Sequence, residues 1–141
     1  MIELWDTSAL ILAAREPAVG TLLAEALAAD EVAITEPVLL EYLNGARNTA
    51  EYDRFRSVLG AIRRLESTGL DWQRALEVHR LLALTGPGHQ RSVRLIDLVI
   101  AATAERHGVR IAHVDRDYER IAAVTDQPVR WVGMSPAADD R

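Results

Sequence analysis

Four short apolar stretches of this 141-residue chain each carry an acid where burial alone predicts a neutral side chain. Asp6 follows Ile2-Glu3-Leu4-Trp5, and Glu41 sits within Pro37-Val38-Leu39-Leu40-Glu41-Tyr42-Leu43. Asp97 lies within Leu95-Ile96-Asp97-Leu98-Val99-Ile100, and Asp115 follows Val109-Arg110-Ile111-Ala112-His113-Val114. An isolated ionised carboxylate in an apolar setting is costly, and persists only if paired, hydrogen-bonded or bound to a metal. Carboxylates brought together repel one another by roughly 4 kcal/mol per pair at 4 Å and an effective dielectric of 20. A divalent cation removes that repulsion. The residue types therefore point to a metal-dependent hydrolase with Asp6, Glu41, Asp97 and Asp115 as its catalytic carboxylates. Asp6, Asp97 and Asp115 are expected to bind the metal directly, and Glu41 and Asp117 through water. Oxygen-only ligands in a chain without cysteine favour Mg²⁺ or Mn²⁺.

Each of these acids has a structural alternative. Asp97 could cap its helix, where a first-turn carboxylate meets the helix dipole favourably, or pair with Arg91 or Arg94. Glu41 shares a helix face with Asn44 at i+3, so Asn44 is a candidate support for it. Thr7 and Ser8 could hold the Asp6 carboxylate or a water, or cap the following helix. Asp117 either caps the last helix or joins the metal through water. Arg91, Arg94 and the arginines at 54, 56, 63 and 64 are candidates for phosphate contacts. His89, in a Gly-Pro-Gly loop, could touch substrate or simply face solvent.

The elements that must position these residues alternate. Ile2–Trp5 reads as a buried strand, and Thr7-Ser8 start a helix. Pro17 opens a second helix to about Ala29; Val32–Thr35 is a strand, and Pro37 opens a helix to about Gly45. The spacing of Tyr52, Phe55, Val58, Leu59 and Ile62 predicts a helix over 49–65, followed after a turn by another over 71–84. Thr85-Gly86-Pro87-Gly88-His89 is a loop. Leu95–His107 is the most apolar helix and ends at Gly108, suited to a left-handed cap. Strand 109–114, helix 117–124 and strand 129–132 complete the series. Strands alternating with helices predict an α/β sandwich around a largely parallel sheet, whose ligands sit beyond the carboxyl ends of the strands. Asp6 and Asp115 both fall there.

Residues 1–133 are expected to form one domain and 134–141 a flexible tail. The chain is 49% hydrophobic and 26% charged, ordinary for a soluble globular protein. No apolar run reaches the roughly 20 residues that span a bilayer, and the opening Met-Ile-Glu-Leu-Trp-Asp lacks the basic region of a signal peptide. Absence of cysteine makes a reducing compartment, the cytoplasm, the expected location. The net charge of −5 hides an asymmetry. Residues 1–53 hold two Arg against ten Asp or Glu, whereas residues 54–94 hold eight Arg against three acids. An acidic pocket beside an anion-binding rim fits that pattern, as does a solvated arginine face.

Four segments together resemble the PIN-domain ribonucleases, and more narrowly the VapC toxins of bacterial toxin–antitoxin pairs. They are Trp5-Asp6-Thr7-Ser8-Ala9-Leu10, Glu36-Pro37-Val38-Leu39-Leu40-Glu41, Asp97-Leu98-Val99-Ile100-Ala101-Ala102-Thr103-Ala104 and His113-Val114-Asp115-Arg116-Asp117-Tyr118. They span essentially the whole chain in the family's order. Two positions depart from the pattern: His113 stands where Thr or Ser is frequent, and Tyr118 where Phe is common. The resemblance implies a PIN-like three-layer sandwich, RNA as substrate, and cleavage leaving a 5′-phosphate. It further implies a VapB-like antitoxin whose basic tail reaches the acidic pocket. The apolar helices at 17–29 and 49–65 are expected to bind that partner and a second copy of the chain.

Other chemistries fit poorly. Receiver domains and dehalogenase-type phosphatases also place Asp at strand ends but need a lysine, and all 16 basic residues here are arginine. The first turn, Asp6-Thr7-Ser8-Ala9, is not the Gly-rich turn of a dinucleotide binder. His79, His89, His107 and His113 lack zinc-ligand spacing. A catalytically silent PIN-like module that binds RNA or protein is the remaining rival, and retention of all four acids argues against it.

Overall fold

The computed structural model describes residues 1–134; apart from Met134, the tail expected to be flexible lies outside the described residues. Five short strands, β1 (Glu3–Trp5), β2 (Val32–Ile34), β3 (Arg63–Arg64), β4 (Arg110–His113) and β5 (Val129–Trp131), form one sheet in the order β3-β2-β1-β4-β5. Every pairing is parallel. Helices α1 (Thr7–Arg15), α2 (Pro17–Ala28), α3 (Glu36–Asn44), α4 (Thr49–Gly60), α5 (Gly69–Leu84), α6 (Leu95–His107) and α7 (Arg116–Thr125) join the strands and cover the sheet. This is the expected three-layer α/β sandwich. Parallel strands buried on both faces are near-continuous apolar runs, and Leu4, Trp5, Ala33, Ile34, Ile111 and Ala112 are all fully buried.

The central strands carry the site. Register pairs Leu4 with Ile111 and Trp5 with Ala112, so β1 and β4 end side by side. The Asp6 N–H donates to Ala112 O at 2.9 Å and extends that alignment one residue beyond the strand. Gly108 adopts φ 67° and caps α6 in the left-handed conformation, as its position predicts. Among the described residues no helix is long and apolar enough to cross a membrane.

One element differs from expectation. The helix predicted over 49–65 stops at Gly60, and Arg63–Arg64 form the edge strand β3 beside β2. Ile62 and Leu65 continue the helical spacing of Val58 and Leu59, which is why the pattern did not break. Leu65 instead donates its N–H to Ile34 O at 2.8 Å and is buried under the sheet edge.

Candidate metal centre

Asp6 and Asp115 are built in the same way. Each ends the segment leaving a central strand, and each is the N-cap of the helix that follows. The Asp6 Oδ2 accepts from the Ser8 N–H at 3.0 Å and from the Ser8 hydroxyl at 2.6 Å. Asp115 Oδ1 accepts from the Asp117 N–H at 2.9 Å. One oxygen of each carboxylate thus starts a helix; the other Asp6 oxygen accepts from Tyr118, and the other Asp115 oxygen lies 3.8 Å from Arg94. Ser8 Oγ also accepts from the Val114 N–H at 3.1 Å, tying α1 to the end of β4.

Two further helices bring in the remaining acids. Asp97, in the first turn of α6, is fully buried, and Glu41 of α3 is partly buried. One carboxylate oxygen from each of Asp6, Glu41 and Asp97 lies within 4.8 Å of the others, and Asp97, Asp115 and Asp117 form a second such group. Asp97 belongs to both. The buried Tyr118 hydroxyl donates to Asp6 Oδ1 at 2.6 Å and lies 3.2 Å from Asp97 Oδ1.

Arg94 stands in the middle of these acids rather than on an outer rim. Its guanidinium approaches Glu41 Oε2 and Asp97 Oδ1 at 3.2 Å, Asp115 Oδ2 at 3.8 Å and Asp117 Oδ2 at 3.9 Å. Its backbone N–H donates to Asp117 Oδ2 at 3.0 Å. Arg120 adds an ion pair to Asp117 Oδ1 at 3.2 Å. Of the two roles expected of Arg94, pairing with Asp97 is the one this arrangement makes, and the same head group reaches the other acids as well.

The electrostatics record the crowding. Burial, a proton shared with Asp117 and the charge of Asp6 push Asp97 up to about 8. Burial also raises Glu41, more than Arg94 lowers it. Tyr118 is driven well above the usual phenol range by burial and by the Asp6 and Asp97 charges, so it remains a donor. Burial would lower Arg94, but the charges of Asp97 and Glu41 outweigh it and raise it. A hard cation suits this donor set: every donor is an oxygen, and Glu41 Oε1 is buried without a hydrogen-bond partner. A bound ion or its water would satisfy that orphan.

Other expected participants take different places. Thr7 Oγ1 donates to Val38 O at 3.4 Å, so of the Thr7-Ser8 pair Ser8 alone holds the Asp6 carboxylate. Asn44 is exposed at the end of α3 and makes no side-chain hydrogen bond among the described residues, which removes it as support for Glu41. Asp117 is not the cap of α7, since Asp115 has that role. His89 meets Thr85 Oγ1 at 2.9 Å and lines a cavity of about 400 Å³ with Leu82, Ser92, Arg120 and Val124. None of the acids lines it. Arg91 is exposed on the 3₁₀ turn His89–Ser92, with no ion pair among the described residues. Arg54 pairs with Glu51, Arg63 with Asp30 and Arg64 with Glu36, so these three already have carboxylate partners.

His113 makes a contribution that sequence reading missed. It is fully buried, packs against Tyr118 and Trp131, and accepts at Nδ1 from the Asp115 N–H at 3.1 Å. Burial lowers its pKa, keeping the ring neutral as that acceptor. The ring thus orients the backbone of Asp115. The one available signal was a polar ring ending an otherwise apolar strand.

Known proteins share both the sequence and this architecture. The profile described as PIN domain matches residues 4–124. Ribonuclease VapC18 of Mycobacterium tuberculosis is 40% identical over 132 residues, covering 94% of this chain and 96% of the relative. Ribonuclease VapC51 of the same organism is 40% identical over 129 residues, covering 92% and 91%. Among solved structures, VapBC2 from Rickettsia felis bound to a promoter DNA fragment superimposes with a TM-score of 0.72 at 14% identity, over 92% of this chain and 98% of that one. DNA-bound VapBC from Salmonella typhimurium gives 0.71 at 19% identity, over 94% and 100%. At those identities the structural likeness is one of fold, whereas the profile and the relatives establish descent. The chain belongs to the PIN-domain family, beside relatives named as VapC ribonucleases.

Proposed function

We propose that this protein is a metal-dependent endoribonuclease, acting in the cytoplasm as the toxin of a VapBC-like pair. Asp6, Asp97 and Asp115 would hold Mg²⁺ or Mn²⁺, with Glu41 and Asp117 reaching it through water. The observation that carries this reading is the convergence of five carboxylates, from four separate parts of the fold, on one pocket whose described cations are arginines. Bound there, the ion would supply Lewis-acid chemistry, polarising a phosphoryl oxygen and lowering the pKa of a coordinated water. The chain's own groups set the geometry. Ser8 and Tyr118 hold the two oxygens of Asp6, and His113 holds the Asp115 backbone. Glu41 Oε1, unpartnered and made more basic by burial, is placed to accept a proton from an attacking water. Names of relatives support RNA as the substrate.

The partners fit two separate apolar faces. A groove of about 270 Å³ between α1, α2 and α4 is lined by Leu10, Leu23, Leu27, Tyr42, Val58 and Ile62, and suits an amphipathic antitoxin helix. A basic antitoxin tail entering the carboxylate pocket would satisfy the same charges as the metal. Trp72, Leu76 and Leu95 stand exposed on α5 and α6, a face suited to a second copy of the chain. The named complexes of the fold neighbours support the antitoxin. The test is to incubate purified chain with total RNA in Mg²⁺, Mn²⁺ or EDTA and map the ends. Metal-dependent cuts bearing 5′-phosphates are expected. Cleavage that persists in EDTA overturns the reading, and metal-independent binding without cleavage favours the silent module.

A further inference from the structure

We infer that Arg94 is a resident cation that competes with the divalent ion for the carboxylate pocket, and that its displaced head group then meets the RNA backbone. The inference rests on the reading of the five acids as a metal site. Two buried carboxylates of this chain are each held by a short, two-bonded arginine: Arg130 meets Glu3 at 2.7 and 2.8 Å, and Arg106 meets Asp71 at 2.8 and 3.0 Å. Those are the lengths of strong charge-assisted bonds. Arg94 reaches its four acids at 3.2 to 3.9 Å. One guanidinium is serving too many carboxylates to bond any of them well.

Its mobility is also built in. The Arg94 backbone is fixed, because its N–H donates to Asp117 and the preceding Val93 is buried. Its side chain is 57% exposed, so the head can leave without moving the chain behind it. A divalent ion approaches carboxylate oxygens to about 2.1 Å, far closer than a guanidinium, and carries twice the charge. Ion and guanidinium repel each other in one pocket, so loading the ion expels the head toward solvent. It remains anchored at the rim, where a phosphodiester must approach the acids, and a guanidinium there is suited to phosphate.

The experiment titrates Mn²⁺ calorimetrically into metal-stripped protein. Removing the competitor with Arg94→Gln should tighten Mn²⁺ binding about tenfold, equivalent to about 1.4 kcal/mol. Arg94→Lys, which keeps the charge, should bind Mn²⁺ much as wild type does. An Arg94→Gln protein that binds Mn²⁺ no more tightly, or an Arg94→Lys protein that gains as much, overturns the competition. If Arg94→Gln is unfolded without metal, saturating Mn²⁺ should refold it, and failure to refold counts against the inference. Binding of a labelled single-stranded RNA at saturating Mn²⁺ should weaken in Arg94→Gln, and unchanged affinity removes the phosphate role. Asp97→Asn separates the two levels. If wild type and Asp97→Asn bind no Mn²⁺ at all, the metal site itself is wrong; if Asp97→Asn loses binding that Arg94→Gln does not improve, only the Arg94 inference fails.

Discussion

The Tyr118 hydroxyl donates to Asp6 Oδ1 at 2.6 Å across 112 residues of sequence, and it is the contact that joins α7 to the Asp6 carboxylate. Oxygen ligands must be aimed as well as present, and groups behind a ligand commonly govern metal affinity by about 10–100-fold. Tyr118→Phe keeps the buried ring and removes only the donor. Its Mn²⁺ affinity should fall about tenfold while the melting temperature shifts little. Unaltered Mn²⁺ affinity would show that Ser8 alone orients Asp6.

Asp97 makes the metal-free protein sensitive to pH. Its folded pKa of about 8 lies far above that of an unfolded aspartate, about 3.9. The native state therefore binds more protons than the unfolded state between those values, and stability falls as pH rises through them. Melting in EDTA should drop by several degrees between pH 5 and pH 8.5, each kcal/mol being worth about 4 °C in a chain of this size. Asp97→Asn should flatten that slope, fold normally, and lose cleavage. A pH-independent melting temperature in EDTA would contradict the buried, crowded setting of this carboxyl.

Glu3 offers the opposite case. Burial alone would raise its pKa, but hydrogen bonds from Arg130 and Arg110 outweigh that and hold it low. A carboxylate depressed in this way adds stability above its unfolded pKa, which is lost as pH falls through the folded value. Removing one partner of a buried pair costs about 3–5 kcal/mol. Glu3→Gln should destabilise by an amount approaching that range without changing Mn²⁺ affinity, since Glu3 belongs to neither acidic group. A simultaneous loss of Mn²⁺ binding would mean that the β1–β4 register transmits to the pocket.

Three of the acids were legible because their surroundings argued against them. Asp6 and Asp115 end buried strands, and Asp97 sits among Ile96, Leu98 and Val99, so each needed a compensating partner. Strand β3 was not legible, because two arginines at a sheet edge offer no alternation and Ile62 with Leu65 kept the helical period. Asn44 was placed on the face of Glu41 by spacing alone, yet α3 ends there and leaves it in solvent. Arg94 was legible as a partner for Asp97 three residues on, and that pair forms. Its reach to Glu41, Asp115 and Asp117 depends on α3 and α7 meeting the start of α6, and no local pattern carries that information.

The proposed antitoxin groove between α1, α2 and α4 contains none of the clustered acids, so antitoxin binding should be separable from catalysis. Val58 lines it and is 64% exposed, so a charge at that position stays hydrated in the free protein. Docking an apolar helix there would bury that charge without a partner, at a cost of several kcal/mol. Val58→Arg should fold with wild-type stability, cleave RNA at the wild-type rate, and bind its antitoxin at least about a hundredfold more weakly, the equivalent of about 2.8 kcal/mol. In cells, the variant should stay toxic when the antitoxin is co-expressed. Retention of both binding and rescue would move the antitoxin to another face, with the exposed Trp72 and Leu76 surface the next to test.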